Sequence, residues 1–162
     1  MKTIKRLLPA LAIAGITFLY ACGGSGDQSS TDSTATASSA ATADIDPAAK
    51  SDSKGVGRFT SVQLGPIDPA MAEKGKAVFI AKCSACHKTT DVKLVGPGLK
   101  GVTKRRTPES IMNQITNPAE MEQKDPVGRA LLAKHLTQMT FQNVTDDETR
   151  QILEYFRENE SK

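Results

Sequence analysis

Tryptophan is absent from this 162-residue chain, and aromatic residues of every kind make up only 4 % of it. A small domain this poor in rings has a thin core unless something other than side chains fills it. The same poverty argues against a nucleic-acid partner. Histidine occurs twice, as His87 and His135, and cysteine three times, as Cys22, Cys83 and Cys86. With no second cysteine pair, the chain cannot complete a four-thiolate zinc site. The one long apolar run, Leu7 to Leu19, is too short and too abruptly ended for a confident membrane-spanning helix. No stretch alternates well enough to read as a strand, no internal repeat is visible, and no cluster of residues reads as a catalytic group.

What is present is the run Cys83-Ser84-Ala85-Cys86-His87. Two cysteines three apart with a histidine directly after the second form the attachment pattern for a c-type haem. One turn of backbone puts both thiols on the same side, where they can add across the two vinyl groups of a porphyrin. The next residue turns its imidazole under the ring to reach the iron. A dithiol redox motif shares the Cys-x-x-Cys spacing, but nothing around it reads as a strand–turn–helix thioredoxin unit.

Residues 1–21 read as a signal peptide. Lys2, Lys5 and Arg6 precede the apolar run, which closes in Leu19-Tyr20-Ala21-Cys22. That ending resembles the lipobox of bacterial lipoproteins, in which the cysteine is acylated and becomes the new N-terminus. Cysteine use then closes: Cys22 carries lipid and the other two carry haem. The expected location is the periplasmic side of a bacterial membrane, inner or outer, with the membrane itself a partner through the lipid.

Residues 22–66 read as a lipidated flexible linker. From Gly23 to Lys54 the composition is Ser, Thr, Ala, Gly and Asp, with Ile45 the only large apolar residue, too little to offset chain entropy. Such a leash has an r.m.s. reach of about 35–40 Å and a taut reach near 150 Å. Residues 67–162 form one small domain, and its expected class is all-α, with about four helices around a covalent haem. Asp68-Pro69 starts the first helix, which runs to the haem cysteines. Thr107-Pro108 starts the second, with Ile111, Met112 and Ile115 on one face and a stop at Asn117-Pro118. Asp125-Pro126 starts a third, containing Leu131, Leu132 and Leu136. Thr145 and Glu148 make a capping box for the last, which presents Ile152, Tyr155 and Phe156 as an apolar stripe.

With these motifs in order, Met71 to Arg157 resembles a class I cytochrome c, a family of small, single-haem, all-helical electron carriers. Gly75-Lys76-Ala77-Val78-Phe79 is similar to the family's N-terminal helix, and Ile152-Leu153-Glu154-Tyr155-Phe156 to its C-terminal helix. Gly96-Pro97-Gly98-Leu99 matches the loop whose proline carbonyl orients the proximal histidine. The resemblance implies His87 as the proximal iron ligand and Pro97 as its orienter. For the sixth position the candidates are Met112, Met121, Met139 and His135. The family places its distal methionine shortly before the final helix, where Met139 stands, although Thr140 departs from the proline that usually follows. Met112 reads as core filler, Met121 as part of a charged loop, and His135 as the near-end of a helix.

Two axial ligands from protein leave no open site, so the expectation is a carrier of single electrons with no small-molecule substrate, acting as a monomer. Alternatives are a haem enzyme or gas sensor with a labile distal ligand, and a fixed cytochrome subunit of a respiratory complex. The chain has 21 Lys+Arg against 18 Asp+Glu, and losing Lys2, Lys5 and Arg6 makes it neutral. Lys82, Lys88, Lys93, Lys100, Lys104, Arg105 and Arg106 crowd the haem motif and the loop after it. A basic ring there would steer an acidic redox protein.

Overall fold

The computed structural model describes residues 45–162. Six helices are present among them: α1 (Pro69–Lys82), α2 (Val102–Arg105), α3 (Pro108–Thr116), α4 (Pro118–Lys124), α5 (Pro126–His135) and α6 (Asp146–Ser161). The described residues contain no strand, so the chain is all-α as expected.

Four of the six begin with proline at the first helical position, where its missing N–H costs nothing. The caps follow the sequence signals. Asp68 accepts from the N–H groups of Ala70 (2.9 Å) and Met71 (3.1 Å), and Thr107 Oγ1 accepts from Ser110 (3.1 Å). Asp125 takes the Gly128 N–H at 2.8 Å. Thr145 and Glu148 form the reciprocal box, at 3.2 and 2.9 Å. Two helices exceed the expected four. α2 is a single turn, too short for a periodic signal. α4, between Pro118 and Pro126, contains Met121, so that residue lies on a helix and not in a loop.

The core is built where α1 crosses α6. The Phe79 ring packs against Tyr155 at 5.6 Å and edge-on against Phe156 at 5.7 Å. Such aromatic pairs add about 0.5–1.5 kcal/mol beyond their burial. The crossing is close because Gly75 lies directly on the backbone of Gln151, and a Cβ there would collide with it. Ile111, Met112 and Ile115 of α3, with Ile152 and Leu153 of α6, complete this cluster.

The domain also begins earlier than residue 67. Residues 45–66, expected as linker, include a strap laid along α3 and α4. Asn113 donates to the carbonyls of Lys54 (3.0 Å) and Phe59 (2.9 Å), and its own Oδ1 accepts the Phe59 N–H at 3.0 Å. Ser53 Oγ donates to Asp125 at 2.6 Å, and Glu109 accepts the Val62 N–H at 3.1 Å. Composition missed this strap because backbone hydrogen bonds to buried polar side chains hold it, helped by Phe59 and Val62 packing on the core. The expected signal peptide (residues 1–21) and the lipidation expected at Cys22 lie outside the described residues.

Candidate haem site

α1 delivers the attachment motif and then gives way to a tight turn. The N–H groups of Cys83 and Ser84 both return to the Phe79 carbonyl, and those of Cys86 (3.1 Å) and His87 (2.9 Å) to the Cys83 carbonyl. Both cysteines are free thiols, Cys83 half-buried and Cys86 exposed. Burial pushes the Cys83 thiol above its ordinary pKa, only partly offset by Lys82.

The chain then doubles back. Gly96 N–H reaches the Cys86 carbonyl at 3.0 Å and Leu99 N–H the Lys88 carbonyl at 2.8 Å. This places the Pro97 carbonyl 2.9 Å from His87 Nδ1. With Nδ1 so engaged, Nε2 is the nitrogen left to offer a lone pair to a metal. Both flanking glycines are required by space. A Cβ on Gly96 would run into the imidazole ring, and one on Gly98 into the backbone of Thr90 and Asp91.

His87, Cys83, Cys86 and Pro97 share a cavity of about 640 Å³ with Phe79, Ile115, Leu131, Leu132 and Phe156. That volume lies within the roughly 300–1,000 Å³ usual for cofactor pockets. Met139 and His135 are also on its wall. Met139 is half-buried; its N–H donates to Glu122 Oε1 at 2.7 Å, and Gln114 Nε2 stands 3.8 Å from its sulfur. His135, the last residue of α5, has a buried Nδ1 without a partner. Burial, then Lys93, Lys134 and His87, lower its pKa. Met121 also lines the cavity, but its sulfur is engaged by the strap, receiving the Val56 N–H at 2.9 Å. Met112 is buried in the core cluster. A thiol pair, an imidazole with its other nitrogen tied down, and an apolar plate-sized cavity all suit a covalently attached porphyrin.

The comparisons with known proteins agree. The family model for cytochrome c matches residues 72–160. The chain belongs to the cytochrome c family. Its cofactor is therefore haem c, covalently bound. A cytochrome c-553-like protein of Synechocystis is 33 % identical over 69 residues, 40 % of this chain and 66 % of that protein, just under two thirds of its length. A solved cytochrome c of Rhodothermus marinus is 40 % identical with a TM-score of 0.63, covering 65 % of this chain and 90 % of that one. An engineered form of the Rhodothermus protein, bound to a carbene intermediate, is 38 % identical with a TM-score of 0.61, over 65 % and 92 % of the two chains.

Within this cytochrome the basic residues do not form one uniform ring. Lys82 is tied to Glu148 at 2.9 Å, while Arg105 and Arg106 are drawn onto backbone carbonyls. Lys88, Lys93, Lys100 and Lys104 remain exposed. Exposed Val92, Leu94 and Val95 lie on the same loop between His87 and Pro97. Sequence reasoning missed Gln114 and Glu122. Gln114 had a signal: it is an amide beside Ile111 and Ile115 on a helix whose other face is polar. Glu122 had none while its segment read as a loop.

Proposed function

We propose that this cytochrome is a membrane-tethered carrier of single electrons between a quinol-oxidising donor and a terminal reductase or oxidase. The observation that carries the reading is the hydrogen bond from His87 Nδ1 to the Pro97 carbonyl, in a cavity that Met139 also lines. Cys83 and Cys86 would hold the porphyrin, His87 and Met139 would ligate its iron, and Pro97 fixes the imidazole. Bound haem supplies the one-electron Fe(II)/Fe(III) couple, and a thioether donor favours the reduced state. The chain's part is to keep both ligands from moving, so that little reorganisation accompanies oxidation, and to exclude water through Phe79, Leu131, Leu132 and Phe156. Exposed Cys86 and the Val92–Val95 loop mark the edge where partners exchange electrons, with Lys88, Lys93 and Lys100 to steer an acidic one. Lipid on Cys22 confines the domain near its membrane-embedded partners and raises their effective concentration.

One purified sample of mature protein tests this. The ferric form should show the weak red-edge absorption of methionine–iron ligation, the reduced form should keep its Soret band under CO, and the N-terminal mass should show an acylated Cys22. Met139→Ala should lose the red-edge band and bind CO. Rapid CO binding by the wild type would overturn the closed site, and an unacylated N-terminus would overturn the tether.

A second reading, a haem enzyme or sensor with a labile distal ligand, draws on one observation. The segment 137–144 carrying Met139 makes no backbone–backbone hydrogen bond to any described residue. The carbene bound to the engineered Rhodothermus relative belongs to that protein, and under this reading the chain here would likewise admit an exogenous ligand.

A further inference from the structure

The loop from Thr137 to Val144 poses a mechanical problem. It carries the proposed distal ligand, yet its backbone groups find no backbone partner among the described residues. Side chains from elsewhere must fix it. Within the loop itself the contacts are short-range and polar: Gln142 to Thr140, and Thr137 to the His135 carbonyl. Lys82 reaches the Asn143 carbonyl at its far end. At Met139 two long-range contacts converge, one on the backbone and one on the sulfur. Glu122 of α4 accepts the Met139 N–H at 2.7 Å, and Gln114 of α3 directs its amide at the thioether from 3.8 Å.

Glu122 is an unusual choice for a mere spacer. It is 7 % exposed, and its Oε2 is buried with no partner. A half-satisfied buried carboxylate costs stability, and such a group in a native fold asks for a reason. Its platform is also unusually firm. Met121, the preceding residue, is gripped by the strap through Val56, and Asp125 joins α4 to α5 by capping Gly128 while receiving Ser53. A Cβ on Gly128 would strike the Met121 carbonyl, so α4 and α5 touch backbone to backbone.

We propose that Glu122 and Gln114 are positioning residues for the distal ligand: the carboxylate anchors the Met139 amide to a rigid helix, and the Gln114 amide holds the thioether at the cavity wall. The proposal rests on Met139 being that ligand. Charge-assisted hydrogen bonds to a backbone N–H are short and about twice as strong as neutral ones. Losing the anchor leaves the Met139 end of the loop to the iron–sulfur contact and Gln114, since Lys82 and the buried Val144 fix only its far end.

The test uses the holoprotein, with free imidazole as the competing ligand for ferric iron. Readouts are the imidazole affinity, the temperature at which the red-edge band bleaches, and helix unfolding followed separately by circular dichroism. Glu122→Ala should bind imidazole at least about tenfold more tightly, the scale of a lost hydrogen bond to a charged group. Its band should bleach at a lower temperature, with helix unfolding moving less. Glu122→Gln, which keeps a neutral acceptor for the N–H, should fall between, with a rise of about threefold. Gln114→Leu should give a smaller rise, of about threefold, because sulfur is a weak acceptor. Glu122→Met preserves volume and takes the place of Glu122→Ala if the latter fails to fold. Unchanged imidazole affinity and bleaching temperature in Glu122→Ala would overturn the proposal while leaving Met139 as ligand. Glu122→Gln behaving like Glu122→Ala would overturn it too. A wild-type protein without the red-edge band would instead remove Met139 as ligand, whatever the variants do.

Discussion

At Gly96 the side chain is a single hydrogen because an imidazole occupies the space any larger one would need. Gly96→Ala should therefore push the His87 ring away from the Pro97 carbonyl. Overpacking of this kind costs about 1–3 kcal/mol, and here its effect should be visible in the visible spectrum before it is visible in unfolding. The expected result is a weakened or heterogeneous proximal ligation in a protein that still carries covalent haem; an unchanged spectrum and reduction potential would refute the account. This residue-level detail was partly legible in advance. Cys83, Cys86, His87 and Pro97 could be read because each has a fixed place in a short contiguous pattern. Glu122 could not, and the signal at Gln114 did not name its partner, because Met139 is 17 and 25 positions away and meets them only after α3, α4 and the loop have folded.

Helices announce themselves when their ends carry chemistry. Asp68, Thr107, Asp125 and Thr145 all cap as their sequence neighbours foretell, since capping is decided within four residues. α2 and α4 are different, being too short to show a repeating apolar face. The strap was hidden for another reason: it is held largely by the side chains of Asn113, Glu109 and Asp125, more than forty positions distant, with only Phe59 and Val62 adding apolar packing. The α1–α6 crossing gives the sharpest expectation at this scale. Gly75→Ala would force the helices apart at Gln151 and loosen the Phe79 contacts with Tyr155 and Phe156. We expect a loss of at least about 1–3 kcal/mol in denaturant unfolding. Ala77→Gly, on the same helix at an exposed position, should cost only about 1 kcal/mol through helix propensity. Equal effects would argue against a close crossing.

The molecule as a whole should be acid-sensitive, and Glu154 is one place to look. Its carboxylate has no exposed surface; Arg150 pairs with it, and Arg157 binds both oxygens at 2.8 and 2.9 Å. Burial alone would raise its pKa, but the Asp68 N–H and the two guanidiniums outweigh burial and bring it below the usual carboxylate value. A group whose folded pKa is depressed stabilises the fold above its unfolded pKa, near 4.3, and that stability is lost as pH falls through the lower folded value. The melting temperature should drop between about pH 5 and pH 3. In Glu154→Gln it should be lower at neutral pH and fall less steeply in acid. A parallel pH profile in the two proteins would show that the charge is not linked to folding.

Docking of the strap also changes how far this cytochrome can travel. With lipid on Cys22, as proposed, the chain is held to the domain at least from Pro47, whose carbonyl receives Arg106, so no more than about 25 residues of free tether separate the mooring from the hull. Covalent geometry limits that length to about 80 Å when taut, roughly half of what a free linker to residue 66 would allow. Redox proteins standing taller than this above the bilayer would be beyond its orbit, however well their surfaces matched, and splicing extra residues in before position 45 would bring them back within range.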